Sequence, residues 1–457
     1  AIACGALSVL ASLPASADEG MWTYHDFPSQ AVAEKFGVRI DQTWLDRVRL
    51  GTVRLAGCTA SFVSPNGLIL TNHHCIESCL AELSTQTDDL IAAGFLASDR
   101  GKERRCETQI ADVLVGMVNI TSQVDAAVTG KSSQDANDAR KQTLTQIEQS
   151  CETNSQKDRK TGPLKCQTVN LYNGGQYWLY QYKRYTDIRL VFAPERDIAA
   201  FGGDPDNFQF PRWCLDMGVL RAYENGKPAK TPNHLSINFD GPAANELVFV
   251  SGHPGSTDRL LTVAQLETQR DVELPRWLLR AAELRGRYVQ YGKGNAEAAR
   301  TVEDQLNGLE NSIKVRRRQL DALLDDELLA SKRAAEQALR DAVAADPQLS
   351  QSIGDPWAEI ETAQSAYRAM HLPLTFIENG AGWGGRLAGI ARLLVRAADE
   401  RAKPNTERLR EYTDAALPRI EQQLAAALPV YPEIEIIRLT FGLERMRECL
   451  GPAHEIV

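Results

Sequence analysis

Positive charge is scarce in this chain of 457 residues, where 51 lysines and arginines face 60 aspartates and glutamates for a net charge of -9. No basic patch interleaved with aromatics stands above that background, so the sequence argues against a nucleic-acid partner. A long apolar run is also missing. Residues 1–17 are apolar and uncharged, but they carry Pro14 and stop short of the roughly 20 residues that a membrane-spanning helix requires. Ending in Ala15-Ser16-Ala17 ahead of Asp18, they read as a secretory signal without its basic start, cleaved after Ala17. Ile2-Ala3-Cys4 is a rival as a lipoprotein site, but the apolar run continues well past it. The expected location is periplasmic or secreted, with no membrane span. Repeats at a solenoid period are absent.

What is present is ordinary in bulk: 43% hydrophobic and 24% charged residues, in a length sufficient for two or more domains with large cores. With Cys4 set aside, the cysteines are Cys58, Cys75, Cys79, Cys106, Cys151, Cys166, Cys214 and Cys449. An even number in an exported protein points to disulfides, whose connectivity cannot be read from sequence. Cys75 and Cys79 stand in CxxxC spacing beside two histidines, yet no second ligand pair follows at a finger-like distance, which weakens a zinc reading. No metal or cofactor is expected.

Residues 20–50 mix short helical and loop signals. Residues 57–75, GCTASFVSPNGLILTNHHC, alternate apolar positions on either side of Pro65-Asn66-Gly67 and predict an antiparallel hairpin. Cys58 and Cys75 lie where a disulfide would bridge its ends, a loop worth roughly 3 kcal/mol in the chain-entropy model. Residues 76–170 are polar and helix-prone and read as an insertion between strands. Strand character returns over 177–192, 219–223, 235–239 and 247–250. From about 261 onward strand signals give way to an all-helical part. There Leu306, Leu309, Ile313, Leu320, Leu324 and Leu328 trace one amphipathic helix.

Three segments carry candidate chemistry. His73-His74-Cys75 closes the hairpin at the place where a two-barrel serine peptidase keeps its general base, and a base belongs on a stiff element. Adjacent histidines are equally a surface pair or one satisfied core residue. Residues 202–216 form a Gly/Pro/Asn loop with three aspartates able to fix a histidine tautomer. Asp204 and Asp206 sit in the turn, where capping is the competing role, whereas Asp216 leads into a strand. Gly252-His253-Pro254-Gly255-Ser256-Thr257 follows the 247–250 run and places Ser256 after His74 and Asp216, the order of chymotrypsin-like enzymes. It lacks the G-x-S-x-G pattern, and Ser256-Thr257-Asp258 reads as well as a helix N-cap.

These segments, in this order, resemble the bacterial exo-acting serine dipeptidyl-peptidases, family 46 of the serine peptidases, in the dipeptidyl-peptidase seven and eleven group. The likeness runs from Met21 onward, is most specific over 57–75, and includes Gly380-Ala381-Gly382-Trp383 and residues 390–396. It implies a chymotrypsin-like double β-barrel with an α-helical domain inserted in the second barrel as a cap. The domains are then a signal remnant over 1–17, a peptidase domain over 18–260 with the second barrel incomplete, and a helical cap over 261–457. Residue by residue, the resemblance makes His74 the general base and Asp216 its orienting carboxylate, while Asn207 and Phe208 hold the substrate's free N-terminus. The family's serine lies in a G-N-S-G-S-P segment, which this sequence does not contain, so the chain is expected to be a fragment. Departures occur at Phe208 and Phe210, at Trp213-Cys214-Leu215, and at Ile76-Glu77-Ser78-Cys79, where the family is usually glycine-rich.

The implied activity is release of dipeptides from free N-termini of peptides, with a homodimer as the implied assembly. Acidic or hydrophobic preference before the cleaved bond depends in the family on a residue near the serine. The rival readings are a hydrolase using Ser256 and a catalytically dead peptide-binding protein.

Overall fold

A computed structural model describes residues 21–456 apart from 86, 159–161, 201–211, 256, 415, 418, 419, 422, 423 and 425–428. Its sheet part contains β1 (Thr52–Arg54), β2 (Thr59–Phe62), β3 (Leu68–Thr71), β4 (Phe95–Leu96), β5 (Arg104–Arg105) and β6 (Ala111–Asn119). β7 (Leu164–Leu171), β8 (Gln176–Tyr185), β9 (Asp187–Ala193), β10 (Gly218–Glu224) and β11 (Lys227–Pro228) follow. The hydrogen-bonded order is β4-β9-β10-β3-β2-β1-β6-β8-β7, with β11 beside β10 and β5 beside β9. Every named pairing is antiparallel.

The predicted hairpin is β2 and β3, in register Ser61 to Leu70 and Phe62 to Ile69. Ser64 Oγ accepts from the Asn66 and Leu68 amides inside the turn. Gly67 has a φ of +73°, and a Cβ there would lie 2.6 Å from the Ala222 carbonyl oxygen, so the turn needs glycine on both counts. Inward residues of this hairpin, Ala60, Phe62 and Ile69, meet Val53, Val113, Ile188, Leu190, Leu220 and Ala222 in one buried cluster. Strands from both halves of the path supply that cluster, so the sheet curls around its apolar side. The 3.0 Å ion pair of Lys183 on β8 with Glu224 on β10 joins strands far apart in the hydrogen-bonded order.

Two strand expectations change. The runs 235–239 and 247–250 form no strands; Phe239 is 93% and Val250 fully exposed. Alternation supplies a face, but a strand exists only within a ladder, and the described residues show there one isolated backbone bond, from the Leu235 amide to the Phe62 carbonyl at 2.8 Å. Conversely, the supposed helical insertion contains β6, whose Ala111, Asp112, Val113 and Leu114 are all buried. Burial on both faces removes the period-two signature that sequence reading relies on.

The rest of that insertion is helical, with Thr121–Val128 and the long Ser133–Lys157 packed over β7 and β8. From residue 263 the described elements are all helical, including Leu274–Gly292, Ala296–Leu323, Asp326–Ala345, Pro356–Pro373, Arg386–Arg401 and Pro432–Leu450. The single helix expected through Leu328 is broken: Asp325 caps a new helix by accepting from the Glu327 and Leu328 amides. Gly382 and Gly442 touch so closely that a Cβ on Gly442 would lie 2.6 Å from the Gly382 carbonyl oxygen. No helix among the described residues is long and apolar enough to cross a membrane.

Three disulfides are formed, Cys58–Cys75, Cys79–Cys106 and Cys151–Cys166, leaving Cys214 and Cys449 outside them. Full pairing of eight cysteines therefore does not occur. The first bridge spans 17 residues and closes the hairpin as anticipated. Replacing Cys58 and Cys75 together by serine should lower unfolding free energy by about 3 kcal/mol, read from the urea midpoint at unchanged m-value.

Candidate active site

β3 and β10 lie side by side with Thr71 opposite Gly218 and Ile69 opposite Leu220. Because the strands are antiparallel, the residues that follow β3 and those that precede β10 emerge at the same edge. His74 and Asp216 are those residues. The His74 Nδ1 lies 2.8 Å from Asp216 Oδ2, and the His74 amide donates to Oδ1 at 3.1 Å. Asn72 adds a side-chain donor to both the carboxylate and the backbone carbonyl of Asp216, at 3.1 and 3.0 Å. Each carboxylate oxygen is thereby engaged, and His74 is tied to Asp216 through both its ring and its backbone.

The turn that carries the histidine is fastened from below. Cys75 is bonded to Cys58, Ile76 is fully buried, and its amide donates to the His73 carbonyl at 2.9 Å. Gln109 donates to the Cys75 carbonyl at 3.3 Å. The two histidines have opposite fates: His73 is buried without exposure, whereas the His74 side chain keeps 37% of its surface, against 11% for Asp216. The side-chain hydrogen bond to Asp216, outweighing desolvation, raises the His74 pKa above its ordinary 6.5. Burial pushes Asp216 up, but the bonds from the His74 side chain and backbone prevail and hold it below 3.8. Burial lowers the His73 pKa, so that ring is held neutral.

With Nδ1–H donated to the carboxylate, Nε2 carries the lone pair able to take a proton. The carboxylate stabilises the imidazolium that such a transfer would create. Cys58, His74 and Cys75 also bring potential metal-ligand atoms within 4.8 Å of one another. Both sulfurs are joined in the disulfide, and Cys79 is joined to Cys106, so none of the three is a thiolate.

Of the sequence-predicted residues, His74, Asp216, Cys58 and Cys75 come together. Asn207 and Phe208, with Asp204 and Asp206, lie outside the described residues, as does Ser256. The turn before Ser256 is held against the sheet: the His253 amide donates to Thr59 Oγ1 at 2.8 Å. Burial, followed by the charge of Arg54, pushes the His253 pKa down to about 4. Sequence reasoning missed Asn72, although its place two residues before the candidate base puts it at the same strand end.

A profile of the Peptidase S46 family matches residues 17–457. The chain belongs to the peptidase S46 family. Among S46 relatives it is 28% identical over 445 residues to an Asp/Glu-specific dipeptidyl-peptidase of Shewanella putrefaciens, covering 93% of this chain and 58% of that protein. It is 25% identical over 478 residues to dipeptidyl-peptidase 7 of Porphyromonas gingivalis, covering 96% and 63%. The crystal structure of Porphyromonas endodontalis DPP11 in complex with the dipeptide Arg-Glu superposes with a TM-score of 0.69 at 19% identity, covering 95% of this chain and 64% of that one. That likeness carries the fold, a large antiparallel sheet with many helices. The chain thus spans about three-fifths of the length of these S46 relatives.

In this S46 chain, Asp216→Asn should lower the His74 pKa, since it replaces the anion that stabilises the imidazolium. An NMR titration of the His74 ring checks this. The wild-type midpoint is expected above 6.5 and that of the variant below the wild-type value; equal midpoints would break the electrostatic link.

Proposed function

We propose that this protein acts as a serine-type dipeptidyl-peptidase, releasing dipeptides from the free N-termini of peptides. The observation that carries the reading is the 2.8 Å His74 to Asp216 contact within a chain of the S46 family. His74 Nε2 takes the proton from the attacking serine hydroxyl and returns it to the leaving amine, while Asp216 holds the tautomer and stabilises the cation. The serine is the one that the family carries in its G-N-S-G-S-P segment.

Asn207 accepts a hydrogen bond from the substrate ammonium and Phe208 packs beside it. An anchor at that end fixes the distance from ammonium to scissile carbonyl, which makes the enzyme count two residues. The curled sheet, with the main buried cluster on its inner side, supports the chymotrypsin-like first barrel, with residues 261–457 as the helical cap. Three disulfides support an oxidising location, periplasmic or secreted, reached by cleavage of residues 1–17.

The test is mass spectrometry of peptides incubated with the protein expressed from its whole reading frame. Dipeptides should leave peptides with free N-termini and not N-acetylated ones, and cleavage at internal bonds would refute the reading. Asp216→Asn should lower kcat by about ten-thousandfold with the fold retained by circular dichroism. Active-site labelling with a fluorophosphonate should leave Ser256 unmodified; an adduct there would replace the assigned nucleophile.

A further inference from the structure

Asn72 is the first residue beyond β3, and its backbone and side chain serve different partners. Its carbonyl accepts from the Cys75 amide at 3.3 Å, which closes the turn that the Cys58–Cys75 bridge fastens. Its carboxamide reaches across to the residue two places before β10. Nδ2 lies 3.0 Å from the Asp216 carbonyl oxygen and 3.1 Å from Asp216 Oδ2. Both of those atoms are acceptors, so the NH2 group faces Asp216 and commits one hydrogen to each. Oδ2 is also the oxygen 2.8 Å from His74 Nδ1, while Oδ1 accepts from the His74 amide at 3.1 Å. The imidazole and the carboxamide therefore meet on one carboxylate oxygen.

We propose that Asn72 is a positioning residue for the proton transfer at His74: its carboxamide locks the plane of the Asp216 carboxyl group with Oδ2 aimed at Nδ1, and so keeps the neutral ring in the tautomer that leaves Nε2 bare. The last torsion of an aspartate side chain is broad and two-fold, so packing alone leaves the carboxyl group free to turn. Two donors on different oxygens stop that rotation, the His74 amide on Oδ1 and Asn72 on Oδ2. The second Asn72 hydrogen, on the Asp216 carbonyl, fixes the backbone from which the carboxyl group hangs.

What Asn72 adds is independence from the ring that it helps to orient. The other bonds to the Asp216 carboxylate come from the histidine pair itself, through the ring and amide of His74 and the backbone of His73. An anchor supplied by the imidazole cannot by itself set the imidazole, whereas Asn72 is held from outside the pair, by the end of β3 and by the Cys75 amide. A carboxyl group free to turn would point Oδ2 away from Nδ1 part of the time, and the proton would then move to Nε2, the atom that has to receive one. A donor that merely covered the Asp216 carbonyl would steady the start of β10 and leave the tautomer alone. The geometry differs from that case because the same NH2 group reaches the carboxylate as well.

The effect on the ring does not depend on turnover, although its consequence for catalysis rests on the peptidase reading. Two variants test it: Asn72→Ala, which removes the carboxamide, and Asn72→Leu, which keeps its shape without the donor. Nitrogen-15 NMR of the neutral His74 ring in the purified chain should show Nδ1 protonated in wild type and the Nε2-protonated form populated beside it in both variants. In the protein expressed from its whole reading frame, each variant should lower kcat about tenfold at nearly unchanged KM. A ring that stays wholly Nδ1-protonated in both variants would overturn the proposal, as would a wild-type kcat or a loss confined to KM. Should the wild-type protein release no dipeptides, the peptidase reading fails by itself and the ring tautomer still decides the role of Asn72. If Asn72→Ala fails to fold, an unchanged tautomer in Asn72→Leu overturns it.

Discussion

The register between β3 and β10 is the constraint on which the site depends. With Thr71 opposite Gly218, a turn of three residues after one strand and a step of two before the other bring His74 and Asp216 into hydrogen-bond contact. A slip of one residue would carry Ile69 and Leu220, both fully buried, to the opposite face of the sheet and expose them. The apolar core therefore enforces the geometry of the His74–Asp216 pair. Losing either side chain to alanine would cost about 2–5 kcal/mol, a large fraction of the roughly 5–15 kcal/mol that holds a domain folded.

The pair is arranged so that burial and hydrogen bonding act in opposition. Desolvation alone would neutralise both groups, raising the acid and lowering the base. The bonds between them reverse both trends, leaving Asp216 ionised and His74 more basic than usual. Asn72 and the His74 amide spend their donors on the carboxylate. That arrangement fixes the imidazole in advance, the preorganisation that lets a general base act without paying for reorientation.

Much of this was legible in the sequence, and the parts that were not have physical reasons. The hairpin, its disulfide and the long helices were readable because their signals are local: a Pro-Asn-Gly turn, cysteines at both ends, and leucines at helical spacing. Asp216 was readable through its position ahead of a strand and through the family resemblance, which made it the orienting carboxylate. β6 was hidden because both of its faces are buried. The runs 235–239 and 247–250 misled because alternation describes a side-chain pattern, while a strand also needs a partner. The break at Asp325 was missed since leucine periodicity continues across it even though the backbone restarts.

The central claim is that Asp216 holds the imidazole with Nδ1 protonated, leaving Nε2 to take a proton. Nitrogen-15 NMR of the His74 ring, recorded above its midpoint, reads that tautomer directly. The account predicts a proton on Nδ1 and a bare Nε2 in the wild type, with this preference lost in Asp216→Asn. A neutral ring protonated on Nε2 in the wild type would contradict it.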